Sequence, residues 1–364
     1  MIKVLHIDTE LTWRGGENQI LHLVSGSKQD AEHHIAVRPG SIAGKRFAGV
    51  CPVIPVEMRG GFAPVAAWKL AAYCRRHEIG VIDAHTSNAH SLGILIRGFY
   101  PQVKLVVHRR VDYAPGSDFI NRKKYLSPKV DRYVAISRAI KNVLVTYGVP
   151  ADRISVVRSA VDLTKYNQFD RTAEKNKLAA TFSLSPELTF IGNASAFTEQ
   201  KGYDTLITAC KIMKDRGVPF HAFLAGDGHL MNQMEKLRAD LGLEHDVTFL
   251  GFIEDVPRFL SSLDILAVSS RFEGLGTVIL DGIGAGLAVV ASDVGGIPEM
   301  IMHDKTGLLA PVGDAPAFAG GLAALIADRD RREKLQTAAR RHIEEEFSVD
   351  AMIKGNLSVY RDLV

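Results

Sequence analysis

In the run SSRFEGLGTVILDGIGAGLAVVASDVGGIPEMI, residues 269 to 301, Glu273 precedes Gly274, Leu275, Gly276 and Thr277, and a second carboxylate, Asp281, follows. Glycines ahead of a helix let a ligand approach its free amides, and those amides with the helix dipole make an anion site suited to a diphosphate. A carboxylate before that helix can accept hydrogen bonds from sugar hydroxyls, and one within it from a ribose. An anion cradle between two hydroxyl acceptors suits a nucleotide sugar. In the first half, TWRGGENQILHLV places Gly15 and Gly16 between a strand and an amphipathic helix, where backbone amides can also meet an anion. His85 follows the strand ending at Ala84, and His108, Arg109 and Arg110 follow another; such strand ends face the ligand crevice of parallel α/β sheets. The basic, aromatic run at 109 to 129 carries Arg122, Lys123 and Lys124 between Phe119 and Tyr125 and reads as a loop facing an acceptor or a membrane. Each such cation is worth about 1 kcal/mol near anionic lipid headgroups, and a soluble anionic acceptor would use the same charges.

The C-terminal motifs resemble the family 4 retaining glycosyltransferases of the two-domain GT-B fold. Glu273 with EGLG, then GLAVVASDVGGIPEMI, then TGLLAPVGD at 306 to 314 match that family's order and spacing, over roughly residues 187 to 330. The resemblance implies that Glu273 contacts the donor sugar and Asp281, an Asp in place of the family's Glu, the ribose. It places Lys201 of SAFTEQKGYDTLI beside the donor diphosphate, whereas the arginine that usually accompanies it falls on Ala196. LAGDGHLMNQMEKL resembles the family's strand and turn beside the nucleotide, with Gly226, and the segment at 248 to 265 resembles the one whose backbone pairs with the base, near Gly251, Phe252 and Ile253. Backbone recognition leaves no side-chain fingerprint, so UDP is chosen on frequency alone. The Gly15–Gly16 loop is similar to the family's N-terminal glycine loop, which borders donor phosphate and acceptor. The resemblance also puts a His at the first strand end, here His85, and either His108 or Arg110 at the second. Ser137 reads as a helix cap. We read Glu273, His85 and Arg110 as the residues nearest the reaction.

These residues need a scaffold, and the chain supplies one twice. Its 364 residues exceed what one core usually supports. Short Val- and Ile-rich segments alternate with helical ones, the pattern of βαβ units on parallel sheets. Strands are expected at 2–7, 33–37, 52–56, 80–84, 103–107, 131–136 and 153–157, then at 188–193, 220–225, 247–250, 264–268 and 287–291. Helices are expected at 16–27, 64–77, 88–98, 137–146, 202–216 and 330–347. The polar stretch at 159–185, with little buried periodicity, marks the junction. The expected fold is α/β, two Rossmann-like domains facing across a cleft. The first, 1–165, would bind acceptor and the second, 166–345, nucleotide sugar, with a terminal helix at 346–364 packing back on the first.

The charge is divided. Residues 1–165 hold 24 Lys and Arg against 13 Asp and Glu, and the remainder 20 against 28, so a basic half precedes an acidic one. Clustered cations attract anions and speed their encounter, which admits an anionic membrane surface or a charged acceptor; no nucleic-acid partner is expected. Three widely spaced cysteines support neither a disulfide framework nor a zinc site. The N-terminus reaches charge and turn residues too soon for a signal peptide, and no apolar run is long enough to span a bilayer, so a cytoplasmic location, peripheral on the membrane if the basic run docks there, is expected.

Preorganised amides and a lysine can stabilise a leaving diphosphate without a cofactor, and no DxD-type site is read, so no metal is expected. The expected activity is transfer of a sugar from a nucleotide donor, UDP-linked on frequency, to a cell-envelope glycan or lipid-linked acceptor. A nucleotide-sugar epimerase, or a non-catalytic sugar-nucleotide or lipid-binding protein, would share the fold. An NAD-dependent dehydrogenase fits poorly, because GLGTVILDG lacks the third glycine of GxGxxG and no acidic residue follows about 20 positions on in a fitting strand.

Overall fold

The computed structural model describes all residues except 14, 59 and 61. It divides into two compact units: Met1–Ala160 with Val349–Val364, and Val161–Ser348. The backbone enters the second unit where Val161 donates to the Phe347 carbonyl, 3.0 Å away, and bridges Ser348.

The first unit is built on seven parallel strands: β1 (Ile2–Asp8), β2 (Ala31–Val37), β3 (Val53–Pro55), β4 (Val81–Ala84), β5 (Lys104–Arg109), β6 (Arg132–Ala135) and β7 (Ile154–Val156). Their order in the sheet is β3-β2-β1-β4-β5-β6-β7. The central strands read as nearly continuous apolar runs because helices cover both faces; every residue of β4 is buried. The chain leaves β1 towards one edge and returns at β4 towards the other, so a crevice opens beyond the ends of β1 and β4. Asp8, Thr9 and His85 lie there.

The second unit repeats the plan with β8 (Thr189–Ala194), β9 (Phe220–Ala225), β10 (Val247–Gly251), β11 (Ile265–Val268), β12 (Ala288–Ser292) and β13 (Leu308–Ala310), in the order β10-β9-β8-β11-β12-β13. Its reversal falls between β8 and β11. The two doubly wound parallel sheets are those expected from the sequence.

The C-terminal helix, Val349–Arg361, belongs to the first unit. Met352, Ile353, Leu357 and Tyr360 recur at helical spacing and enter the core formed by Val4, Leu23, Val81, Val106 and Val134. The Tyr360 hydroxyl donates to Asp83 Oδ2, 2.5 Å away, so this helix supplies a polar contact as well as apolar area.

Local structure departs from the sequence reading in three places. The polar stretch at 159–185 contains a helix, Arg171–Thr181, capped by Asp170, which accepts from Thr172 and Ala173. It carries little apolar signal because Ala179 is its one buried residue. The basic run at 109–129 is not all loop: Asp118 caps a helix, Phe119–Tyr125. A short strand, β13, adds an edge beyond β12. Ser137 caps the helix Arg138–Tyr147 by accepting from Ile140, 3.2 Å away. Among the described residues no helix is long and apolar enough to cross a membrane, and Cys51, Cys74 and Cys210 are free thiols.

Candidate functional site

In the second unit, Lys201 follows β8 and Glu273 follows β11, so the strand reversal brings them together. Lys201 Nζ lies 2.6 Å from Glu273 Oε2, and Ser270 Oγ lies 3.3 Å from the same oxygen. The main chain fixes both ends of the pair: the Glu273 carbonyl accepts from Gly296 at 3.0 Å, and Ser269 Oγ donates to the Lys201 carbonyl at 3.1 Å. Glu273 is 8% exposed, so its charge is largely withdrawn from water.

Gly274, buried Leu275 and Gly276 lead from Glu273 into the helix Thr277–Gly284. Gly276 takes φ +86°, a left-handed conformation that side chains with a Cβ rarely adopt. The first bond at this helix start runs from Ile279 N to the Gly276 carbonyl, so the Thr277 and Val278 amides precede the intrahelical ladder. Asp281 lies one turn further on. Its Oδ1 is taken by Lys165 Nζ at 2.6 Å and Tyr166 OH at 2.8 Å, partners that the sequence reading does not supply.

Three loops meet at the ends of β8, β9 and β10. Gly226 N donates to the Gly251 carbonyl at 2.8 Å, and Phe197 N to the Asp227 carbonyl at 2.9 Å. Phe252 is 75% exposed, and Ala196 is also exposed. Arg271 does not take over the charge that Ala196 lacks, because its guanidinium is held by Asp204 and the Glu199 carbonyl. Gly226 has φ +141°, and a Cβ there would lie 2.0 Å from the Ser195 carbonyl oxygen. Gly226→Ala is therefore expected to displace the 195–197 loop and cost about 2–4 kcal/mol of stability, read as a lowered denaturant midpoint. An unchanged midpoint would mean that this approach of backbones is not required.

In the first unit, Asp83 is fully buried beneath four polar side chains. His6 Nδ1 and His85 Nε2 lie 3.5 and 3.3 Å from its Oδ2, His108 Nε2 lies 3.1 Å from Oδ1, and Tyr360 closes the ring. Burial acts to raise the Asp83 pKa, but the adjacent His108 and His85 outweigh it and hold the carboxyl well below its usual value. Burial in turn pushes His85 and His33 down to about 3 and lowers His108, so these imidazoles are neutral at pH 7.

A neutral imidazole has one N–H, and that fixes the direction of a chain of hydrogen bonds. Ser27 donates its hydroxyl to the Leu23 carbonyl, so it accepts from His33 Nε2 at 2.9 Å. His33 Nδ1 then accepts from His6 Nε2 at 2.9 Å, and His6 Nδ1 from His85 Nε2 at 3.0 Å. His85 Nδ1 is left as an acceptor, and Arg110 fills it at 3.2 Å while also reaching the His85 carbonyl. Asp83, His6 and His33 are thus the support of His85. Strand alternation in HID, VIDAH and AEHH was the available signal, but separate polar residues in buried strands do not reveal that they touch. His6, Asp83 and His85 also form a set whose ligand atoms lie within 4.8 Å of one another; here His6 and His85 hydrogen-bond each other and Asp83 Oδ2 accepts from Tyr360.

His85, His108 and Arg110 share a cavity wall with Arg109, Thr86 and Tyr125, in a space of about 320 Å³ beyond β4 and β5. Gly16 lies alongside Arg110: a Cβ added there would be 3.7 Å from Arg110 Cδ. Gly15 opens the helix Gly15–Gly26. Arg122 and Lys123 are exposed, whereas Lys124 turns inward and donates to the Ser87 carbonyl and hydroxyl at 2.7 and 2.8 Å. Lys124 therefore does not join Arg122 and Lys123 in an outward basic patch, because Ser87 holds its ammonium. The sequence does hold one Asp-x-Asp spacing, Asp328 and Asp330; Asp328 caps the helix Arg329–Glu346 through the Arg331 amide.

Two family profiles match consecutive parts of the chain: Glycosyltransferase Family 4 over residues 13–165 and Glycosyl transferases group 1 over 175–342. The chain belongs to this glycosyltransferase family. Among curated relatives, the amylovoran biosynthesis glycosyltransferase AmsK of Erwinia amylovora is 31% identical over 68% of this chain and 62% of its own length. An uncharacterized glycosyltransferase of Methanocaldococcus jannaschii is 27% identical over 68% of this chain and 65% of its own. The chain thus spans less than two thirds of the length of these two relatives. Among solved structures, HepE of Anabaena in complex with UDP and glucose superposes with a TM-score of 0.84 at 20% identity over the whole of both chains, a likeness of fold.

Proposed function

We propose that the protein transfers a sugar from a nucleotide-diphosphate donor to a glycan or lipid-linked acceptor of the cell envelope. The observation that carries this reading is the Lys201–Glu273 pair at the strand reversal of the second unit, next to the open helix start at Gly276 and Thr277. Lys201 and the helix amides meet the charge that develops on the leaving diphosphate. Glu273 accepts from the donor sugar, and Asp281, held by Lys165 and Tyr166, from the ribose. Gly226, Gly251, Phe252 and Ile253 border the base. In the first unit, Gly15, Gly16, the supported His85 and Arg110 are the groups offered to the acceptor. In this reading no metal takes part, the anomeric configuration is retained as in the family resembled, and the donor phosphate assists removal of the acceptor proton. UDP is favoured as the nucleotide by the UDP and glucose bound in HepE, and an envelope glycan by the amylovoran role named for AmsK.

Ligands that bind the native state raise the melting temperature, so UDP-, GDP-, ADP- and TDP-sugars with NAD form the first panel. Stabilisation by one nucleotide sugar, lost in Lys201→Ala, is the expected result; stabilisation by NAD alone would end the transferase reading. Release of nucleotide diphosphate only when acceptor is present separates transfer from epimerisation and from binding without turnover.

Peripheral attachment to an anionic membrane is part of the proposal. It is supported by Phe119 and Ile120, 70% and 77% exposed, one turn from the outward cations Arg122 and Lys123. Replacing Arg122 and Lys123 with Gln should weaken sedimentation with anionic vesicles about tenfold. Unchanged sedimentation would remove the membrane from the scheme.

A further inference from the structure

The cavity beyond β4 and β5 gathers cations that close no ion pair among the described residues. Arg109 is 7% exposed; its guanidinium donates to Tyr125 OH and the Tyr113 carbonyl, its Nε is unpartnered, and among the described residues no carboxylate pairs with it. Tyr113 and Tyr125 offer their ring faces to it at 5.2 and 5.3 Å. Lys124 donates to the carbonyl and hydroxyl of Ser87 and lies over the Tyr125 ring at 5.5 Å, and burial followed by the neighbouring Arg109 pushes its pKa down to about 8. Among the described residues Arg110, from the next position, hydrogen-bonds only His85, and its Nε too is unpartnered.

The charges that oppose these cations are few. Asp83, Glu17 and Asp8 act on Arg110, but Asp83 is enclosed by histidines and Tyr360. Among the described residues Glu10 is the one carboxylate on the cavity wall, and it is exposed. The thirteen-residue helix Ser87–Phe99 also opens here, with the Ser87 and Asn88 amides ahead of its first bond, from His90 N to the Thr86 carbonyl. Withdrawing two like charges from water side by side is unfavourable twice over, through desolvation and through repulsion. Buried polar groups left without partners are rare in native structures, and a bound ligand is one way in which they are satisfied.

We propose that this cavity is an anion subsite, which takes the phosphate or carboxylate group of the acceptor. The assignment to an acceptor rests on the transferase reading; the anion subsite rests on the cavity alone. A volume of about 320 Å³ is at the lower end of small-molecule sites and suits one charged sugar unit. Arg109 and Arg110 supply planar donors for a bidentate oxyanion, and Lys124 a point charge between Ser87 and the helix start.

Calorimetric titration of the full chain at low salt tests this with glucose 6-phosphate, glucuronate and neutral methyl glucoside. At least one charged probe should bind about tenfold or more tightly than methyl glucoside and lose affinity as salt rises. Glucose 6-phosphate against glucuronate tells phosphate from carboxylate. Lys124→Gln should weaken the charged probe about fivefold, and Lys124→Arg should restore it. Equal affinity for methyl glucoside, no binding of either charged probe, or an affinity indifferent to Lys124→Gln would overturn the proposal. UDP titrated separately distinguishes the two readings: if charged probes bind as expected and no nucleotide sugar binds anywhere, the anion subsite stands and the transferase reading falls.

Discussion

Glu273→Gln is expected to lower kcat by about 10²–10³-fold while UDP binds no more weakly than to the unaltered protein. Glu273 neutralises Lys201 across 2.6 Å in the free protein, so an incoming diphosphate must compete with that carboxylate for the ammonium. Glutamine keeps the shape, removes the competitor and leaves Lys201 free to meet phosphate. Under the proposed function the donor sugar meanwhile loses the charged acceptor that it uses as the transition state forms. Without ligand, the variant should be less stable by about 3 kcal/mol, because a largely buried cation has lost its partner, and UDP should recover much of that. Steady-state rates, UDP titration and thermal melts measure the three quantities. Parallel losses of kcat and UDP affinity would mean that the pair does not flank the phosphate.

Acidification should unfold the first unit before the second. His33 and His85 have native pKa values of about 3 against 6.5 in the unfolded chain, so the unfolded state alone takes up protons as pH falls between those values. Their stabilising contribution is complete above about pH 6.5 and declines below it, by up to about 1.4 kcal/mol per pH unit for each imidazole. His90 and His108, also lowered by burial, act in the same direction. Asp83, held below its unfolded value, adds a further loss below about pH 4. Asp8 opposes them: burial raises it to about 7, so it stays protonated in the native state and favours folding on the acid side of that value. One carboxyl does not offset four imidazoles. Hydrogen exchange followed by unit from about pH 7 to pH 4 should show protection lost first in residues 1–160 and 349–364. Simultaneous loss in both units would sink this account.

Much of the architecture was legible because parallel strands buried on both faces announce themselves as short Val- and Ile-rich runs between glycine turns. The pairing of Lys201 with Glu273 was only half legible. Their positions after two strands were visible, but that β8 and β11 are neighbours depends on sheet order, which local sequence does not carry. Asp83 was hidden more deeply, since a single Asp within a buried strand gives no hint that His6, His108 and Tyr360 converge on it from distant positions. The helix Arg171–Thr181 was missed because a helix lying on a surface with one buried alanine has almost no apolar period to detect. That Lys124 parts from Arg122 and Lys123 was hidden because adjacent positions on a helix point in different directions, which a charge run conceals.

The terminal helix also bears on the order of events at the ribosome. Chains emerge from the N-terminus, and domains commonly fold in that order. Here the first unit waits for Met352, Ile353, Leu357 and Tyr360, which are synthesised only after all of residues 161–348. The nascent first sheet must therefore persist with an uncovered apolar face and with Asp83 lacking one of its donors while the second unit is made. The later-born unit can reach its native state first, and the earlier one matures only when the trailing helix is delivered, a period in which holding chaperones would find their substrate.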